Sequence, residues 1–343
     1  MSVFMIGIQR SGSNLLRLML NQLPDIAAPH PPHILQRMMP LVPGYGNLEI
    51  KANFMLLVDD VCRLVEHNPV PWEGVDLNRD TVAKRCREHT PVAVFGAVYD
   101  LMAETKGAKT WCCKSLANIN YLPEIEAYFS NAKYIYLYRD GRDVAVSFRK
   151  AVVGEKHFYH IAREWAATQQ LALSMRDKIG PRRFFPVKYE DLTKDTEKTM
   201  RALCDFLDTP YSASMLDFHR SEEAQRAAKS SDLWGNVVNP VMQNNSRKFL
   251  KEASESDIRI FESVAGNVMD VLEYDRVYTQ RGTEMPFSAS DIERFDRENK
   301  RIKDEVLSKV DPEDLKRRDQ QSGLLQQIKA RQSAVRDTQW VNV

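Results

Sequence analysis

Residues 7–14, GIQRSGSN, place two glycines, two serines, an asparagine and an arginine directly behind an apolar run. Such a stretch suits anion capture. Backbone N–H groups at the start of a helix have no intrahelical partner, and they can gather around a phosphate or sulfate oxygen. Arg10 adds a permanent charge in a planar fork, and Ser11, Ser13 and Asn14 add short donors. Gly7 and Gly12 satisfy the spacing G-x-x-x-x-G, yet Ser13-Asn14 stands where a triphosphate loop has Lys-Ser/Thr. The lysine for the β/γ-phosphates and the hydroxyl for Mg²⁺ are absent as a pair, which argues against a triphosphate-dependent kinase. A tight strand-to-helix turn with polar surface residues is the plain alternative.

A second basic group lies in YIYLYRDGRDVAVSF, residues 134–148. Arg139 closes an aromatic, β-branched strand pattern, and Ser147 follows in the next helix. An arginine at the carboxyl end of a strand in an open α/β sheet points into the ligand crevice. A salt-bridged arginine in a charged turn is the alternative. Lys114 ends another strand-like run, TWCCK. Two strand-end anion sites imply a ligand with two separated phosphate-like groups.

The elements that must hold these residues follow from pattern. Residues 3–8 form a short apolar run, suited to a strand buried on both faces. Residues 14–23 read as an amphipathic helix closed by Pro24. Further strands are expected over 110–114, 133–139 and 184–189, and helices over 52–67, 80–89, 92–105, 143–151, 157–179 and 193–207. Residues 40–110 read as a helical insertion beside the sheet. Past residue 281 the chain turns into a charged helical extension, 281–343. A capping box is expected at Ser290-x-x-Glu293, followed by an apolar seam of Phe295, Ile302, Val306 and Val310. That seam suits packing on its own domain or, as a homo-oligomer, on a second subunit. Residues after Pro312 read as a charged, mobile tail.

Bulk properties restrict the function. In 343 residues, 48 Lys and Arg balance 47 Asp and Glu, so any anion site is local and no nucleic-acid partner is expected. The five cysteines, among them the adjacent pair Cys112 and Cys113, show neither metal spacing nor disulfide density, which fits a reducing compartment. No apolar stretch approaches membrane-spanning length, and the leading apolar run reads as the first strand, so a cytoplasmic protein is expected.

QRSGSN after a first strand, WCCKSLANINYLPEIEAYFSNAKYIYLYRDGRD, VKYEDL and SSDLWGNVVNPVMQNNSRKF occur in one order along residues 3–275. In that order and spacing the chain resembles the sulfotransferases that use 3′-phosphoadenosine-5′-phosphosulfate (PAPS), nearest their tyrosylprotein and bacterial branch. The resemblance implies an α/β fold, a parallel sheet flanked by helices in the P-loop-like sulfotransferase architecture, over residues 1–280. It implies PAPS as sulfate donor and no metal. Arg10, Ser11, Gly12, Ser13 and Asn14 would hold the 5′-phosphosulfate, and Arg139 and Ser147 the 3′-phosphate. The family's next arginine would fall at Ala151, where Arg149 or Lys150 is the available substitute. Tyr189 matches a cofactor-contacting tyrosine, Lys248 a basic residue of the closing segment, and Lys114 and Ser230 groups that touch the transferring oxygens.

The tyrosylprotein branch takes its general base from a Glu after the first helix, where this chain reads APHPPHILQ. His33 and His30 are the candidates there, since imidazole suits proton transfer near neutrality. Trp165 reads as core. Tyr45, Phe54, Trp72, Phe95 and Tyr99 read chiefly as core, with an acceptor pocket as the other use. The expected acceptor is a small molecule or lipid bearing a hydroxyl or amine. A P-loop-like small-molecule kinase and a non-catalytic nucleotide-binding protein are the competing functions.

Overall fold

The computed structural model describes residues 1–230 and 232–340. Strands β1 (Ser2–Gly7), β2 (Ile26–Ala27), β3 (Thr110–Cys113), β4 (Lys133–Tyr138) and β5 (Phe184–Lys188) form one parallel sheet in the order β2-β3-β1-β4-β5. Val3 pairs with Cys112, Ile6 with Tyr136 and Leu137 with Val187. Because helices cover both faces, the strands lack polar alternation. Phe4, Ile6, Trp111, Tyr134 and Tyr136 face one core, and Val3, Met5, Cys112, Ile135 and Val187 face the other.

Helix α1 (Ser13–Leu20) leaves β1. α2 (Ile34–Met38), α3 (Lys51–Glu66), α4 (Arg79–Arg85) and α5 (Pro91–Thr105) make the insertion between β2 and β3. α6 (Leu122–Tyr128) precedes β4, and α7 (Gly141–Lys150) and α8 (Phe158–Ile179) follow it. After β5 come α9 (Tyr189–Lys194), α10 (Thr196–Phe206), α11 (Glu222–Ser230), α12 (Phe249–Glu252) and α13 (Glu255–Val271). The extension consists of α14 (Ala289–Leu307) and α15 (Pro312–Trp340). Among the described residues no helix is long and apolar enough to cross a membrane. All five cysteines are free thiols.

Four expectations change. The helix expected over 193–207 is two helices broken at Asp195, whose φ of −133° and ψ of 58° are not helical. The first of these begins directly at Tyr189, so β5 passes that residue straight to a helix start. The capping box of α14 uses Ser288 and Asp291 rather than Ser290 and Glu293; Ser288 Oγ accepts from Asp291 N, and Asp291 Oδ2 accepts from Ser288 N at 3.1 Å. Both pairs satisfy the pattern, and the earlier one starts the helix. Residues after Pro312 form a helix whose Leu324 and Ile328, one turn apart, enter the core beside α3. The α14 seam faces its own chain: Phe295 packs on His157 and Tyr159, and Ile302 is buried.

Tyr45, Phe54, Phe95 and Tyr99 are buried in the core, and Trp72 packs against it and gives its indole N–H to the His30 carbonyl at 2.7 Å. Trp165 is fully buried and donates to the Arg139 carbonyl at 3.1 Å.

Candidate functional site

The carboxyl ends of four strands meet at one cleft. β1 delivers residues 10–14, β3 delivers Lys114, β4 delivers Arg139, and β5 delivers Tyr189. β1 lies between β3 and β4, so the crevice opens where the chain's connections diverge to either side, the usual ligand position in open α/β sheets. A cavity of about 1400 Å³ occupies this end. Its lining includes Arg10, Gly12, Ser13, Asn14, His30, His33, Lys114, Arg139, Ser147, Tyr189 and Lys248.

The loop holds unusual backbone. Arg10 has φ 69° and Gly12 φ 91°, both left-handed. Glycine takes this conformation freely, whereas arginine is strained by it, as residues at ligand clamps often are. A Cβ on Gly12 would fall 2.4 Å from the Tyr189 ring. Tyr189 is thus the floor of the loop. Its ring also carries the Arg139 guanidinium at 4.3 Å, and its hydroxyl accepts from Asn245 Nδ2 at 2.6 Å.

The two basic groups adjoin. Arg10 Nε donates to Ser147 Oγ at 2.9 Å, and Arg139 Nη1 donates to the Arg10 carbonyl at 3.3 Å. Burial and the neighbouring Arg139 charge push the Arg10 pKa down. Arg139 further donates to the Asn245 carbonyl and pairs with Asp143 at 3.4 Å. Asp143 also accepts from the backbone of Arg247 at 2.8 Å and of Phe249 at 3.0 Å. It therefore pins the late loop so that Lys248 faces the cavity. Burial raises the Asp143 pKa.

Lys114 is buried and donates to Asn14 Oδ1 at 3.0 Å. Burial, then the charges of Arg17 and Arg10, bring its pKa down to about 7. His33 heads α2 with φ 58° and is partly open to the cavity. Burial, Lys114 and Arg37 lower its pKa to about 3. His30 lies deeper, with its ring edge against Trp234 at 4.6 Å, and burial, Lys114 and Arg17 hold its pKa well down. Both imidazoles are neutral at physiological pH.

Asn68 holds the His30 segment in place. Asn68 Nδ2 donates to the carbonyls of His30 at 3.0 Å and Val70 at 2.8 Å, so it is the amide nitrogen. The same nitrogen faces His30 Nδ1 at 3.3 Å and offers no lone pair. His30 Nε2, His33 Nδ1, Arg139 Nε and Ser11 Oγ are buried without a hydrogen-bond partner.

Two expected residues stay outside. Ser11 is fully buried and does not line the cavity. Ser230 ends α11, gives its hydroxyl to the Ala227 carbonyl at 2.8 Å and also lies off the lining. The following Ser231 falls outside the described residues. Around Ala151, Arg149 and Lys150 both line the cavity, but Arg149 pairs with Asp257 at 2.8 Å and Lys150 with Glu252 at 2.6 Å.

Asp143, Asn245 and Asn68 went unnoticed in the sequence, because their work is to hold other side chains or loops. Asp143, in the RDGRD turn, and Asn245, in the NNSRKF stretch, lie in motifs quoted above, whereas Asn68 has no local signal. Among the described residues no group of three His, Cys, Asp or Glu could hold a metal ion.

Comparison with known proteins bears on this geometry. Residues 2–213 match the model of the sulfotransferase family. Protein-tyrosine sulfotransferase A of Caenorhabditis elegans is 23% identical over 275 residues, 77% of this chain and 64% of that protein. The protein-tyrosine sulfotransferase of Drosophila melanogaster is 23% identical over 286 residues, 80% of this chain and 51% of that protein. The chain thus spans under two thirds of these relatives. The sulfotransferase domain of the Synechococcus olefin synthase superposes with a TM-score of 0.55 at 20% identity, covering 80% of this chain and 94% of that domain. That likeness is one of fold.

Proposed function

The chain belongs to the sulfotransferase family, and from that premise we propose that it transfers the sulfuryl group of PAPS to a hydroxyl or amine of a small-molecule or lipid acceptor. The co-product is adenosine 3′,5′-bisphosphate. The observation that carries this reading is the contact of Arg10 with Ser147 inside the cavity that also holds Lys114. It makes one cleft of the two basic groups, as a single nucleotide with two anionic ends requires.

The residues fit such a ligand. Arg139 Nε is buried and unpartnered, and α1 starts at Ser13 with no side chain capping its N-terminal amides. Bound PAPS supplies the sulfuryl group and a stable leaving group. Arg139, Ser147 and Lys248 hold the 3′-phosphate end. Arg10, Lys114 and the α1 amides stabilise the negative charge that grows on the bridging oxygen, an effect worth several kcal/mol when preorganised in a water-poor site. His33, neutral and open to the cavity, takes the acceptor's proton at a ring nitrogen. A dianion beside Lys114 raises its proton affinity from the low value set by the surrounding cations. His30 lies deeper, with Nε2 buried and unpartnered, and serves as a donor to the reacting oxygens rather than as the base. Ser230 belongs to this machinery only if its segment moves from the position described.

The relatives' names favour a second acceptor, a tyrosine carried on a protein. The residues beyond 300 that line the cavity support the small acceptor instead. Five free thiols support a reducing, cytoplasmic setting. The test is transfer of labelled sulfate from PAPS, with Arg10→Ala and Lys114→Ala beside the unaltered enzyme. Transfer that collapses in both variants supports the mechanism; unchanged turnover in both rejects it.

A further inference from the structure

The family match ends at residue 213, yet the far side of the cavity is built from residues beyond 300. Ile302, Glu305, Val306, Lys309 and Val310 line it. Ile302, Val306 and Val310 recur every fourth residue, so one face of this segment looks inward. Both of its ends are clamped. At the near end, Asn299 Oδ1 accepts from the backbone of Lys156 at 2.7 Å and of His157 at 3.0 Å, and Phe295 stacks on His157. At the far end, Gln321 donates to the Leu64 carbonyl at 2.7 Å, Arg331 pairs with the buried Asp60, and Leu324 and Ile328 are buried. Arg317 also donates to the Ser230 carbonyl at 2.7 Å, just before Trp234. The first clamp holds the loop after α7 and the second holds α3, so residues 301–314 run between two fixed points and line the cavity on the way.

We propose that residues 301–314 are the acceptor-size filter: a roof that admits small uncharged alcohols or phenols to His33 and Lys114 and excludes residues carried on a folded protein. The substrate class rests on the sulfotransfer reading; the roof does not. A cavity of about 1400 Å³ exceeds the roughly 300–1,000 Å³ of a single drug-sized site, so a nucleotide and a small second ligand fit together. On the roof, Glu305 pairs with Lys309 at 2.7 Å and with Arg301 at 3.4 Å. What Val306 and Val310 leave facing the acceptor is aliphatic, and Phe218 and Trp234 add aromatic surface on the same cavity.

The experiment uses the full chain, with Lys114 as reporter. Acetic anhydride and a succinimidyl ester carried on poly(ethylene glycol) are offered in turn, and modification of Lys114 is read by peptide mass spectrometry. The unaltered protein should take the polymer reagent about tenfold or more slowly than the small one, because the polymer reacts only through local opening. The clamp variant Asn299→Ala with Arg331→Ala should close that gap. Val310→Trp, which keeps both clamps, should slow acetylation. Equal labelling by both reagents in the unaltered protein, or no gain in the clamp variant, overturns the roof. So does Val310→Trp acetylated at the original rate. With PAPS, 2-naphthol should be sulfated and a tyrosine on a folded protein should not. Sulfation of both alike, or of neither while the bisphosphate binds, overturns the substrate class. Failure of the unaltered protein to bind adenosine 3′,5′-bisphosphate overturns the sulfotransfer reading itself, separately from the labelling result.

Discussion

Arg10 Nε reaches Ser147 Oγ at 2.9 Å across 137 positions of sequence. The contact joins the loop behind β1 to the helix behind β4, and Arg139 and Tyr189 buttress it from either side. If this junction grips the 3′-phosphate, Arg139→Ala lowers affinity for adenosine 3′,5′-bisphosphate about 10- to 100-fold, and Ser147→Ala about 2- to 10-fold. Titration calorimetry measures both. Adenosine 5′-phosphosulfate, which lacks the 3′-phosphate, should bind the variants and the unaltered protein alike; equal losses for both nucleotides would contradict the assignment.

Lys114 ties binding to protons. Its pKa lies near 7 without ligand, and a phosphosulfate held beside it would raise it. Between about pH 7 and 9 nucleotide binding should therefore take up protons, and affinity should fall as pH rises. Calorimetry in buffers of different ionisation enthalpy gives the proton count, and Lys114→Met should reduce it to near zero. The same substitution removes a buried cation. It should raise Tm by about 2 °C or more while abolishing turnover. A fall in Tm would show that the Asn14 contact outweighs the burial cost.

The histidines should divide in effect. His33→Ala lowers kcat by about 10²–10⁴ with unchanged bisphosphate affinity. His30→Gln keeps an N–H donor and should retain more activity than His30→Ala, which a base role for His30 would not allow. Both imidazoles are neutral in the folded protein below their ordinary pKa near 6.5. On unfolding they gain protons in acid, so stability is full above about pH 6.5 and declines as pH falls from there towards 3. Denaturant titrations across that range should show a shallower decline in the double variant His30→Gln/His33→Gln.

Gly12→Ala meets the Tyr189 ring and a left-handed φ together. It should cost about 1–3 kcal/mol. In a Tyr189→Ala background the cost should shrink to the backbone part alone. A double-mutant cycle that shows no coupling would remove Tyr189 as the floor of the loop.

On the proposed mechanism Arg10, Lys114 and the α1 amides supply the positive charge that the leaving group needs. Sulfuryl transfer should accordingly persist in excess EDTA, and a rate that returns only with added Mg²⁺ would reassign the charge to a metal.

The sequence reveals the strand ends because period and composition are local. β1, β4 and the loop at Gly12 depend on neighbours within a few positions, and so do Arg10, Lys114 and Arg139 as strand-terminal cations. Asp143 pinning Arg247 and Phe249, or Asn68 orienting His30, depends on chain brought together from far apart. The docking of α15 was hidden for a different reason. Its charged composition outweighs the few apolar positions, and only the neighbouring α3 shows what Leu324 and Ile328 are for.

Leu324 and Ile328 sit in the same apolar body as Phe4 and Tyr134. A shortened version trimmed to the part shared with relatives would leave two holes beside α3 and strip the cover from Asp60. Such a fragment should misbehave on expression whatever its catalytic merit. The family match ends at residue 213 while the apolar core runs on to Ile328, and grafting experiments should respect the second boundary.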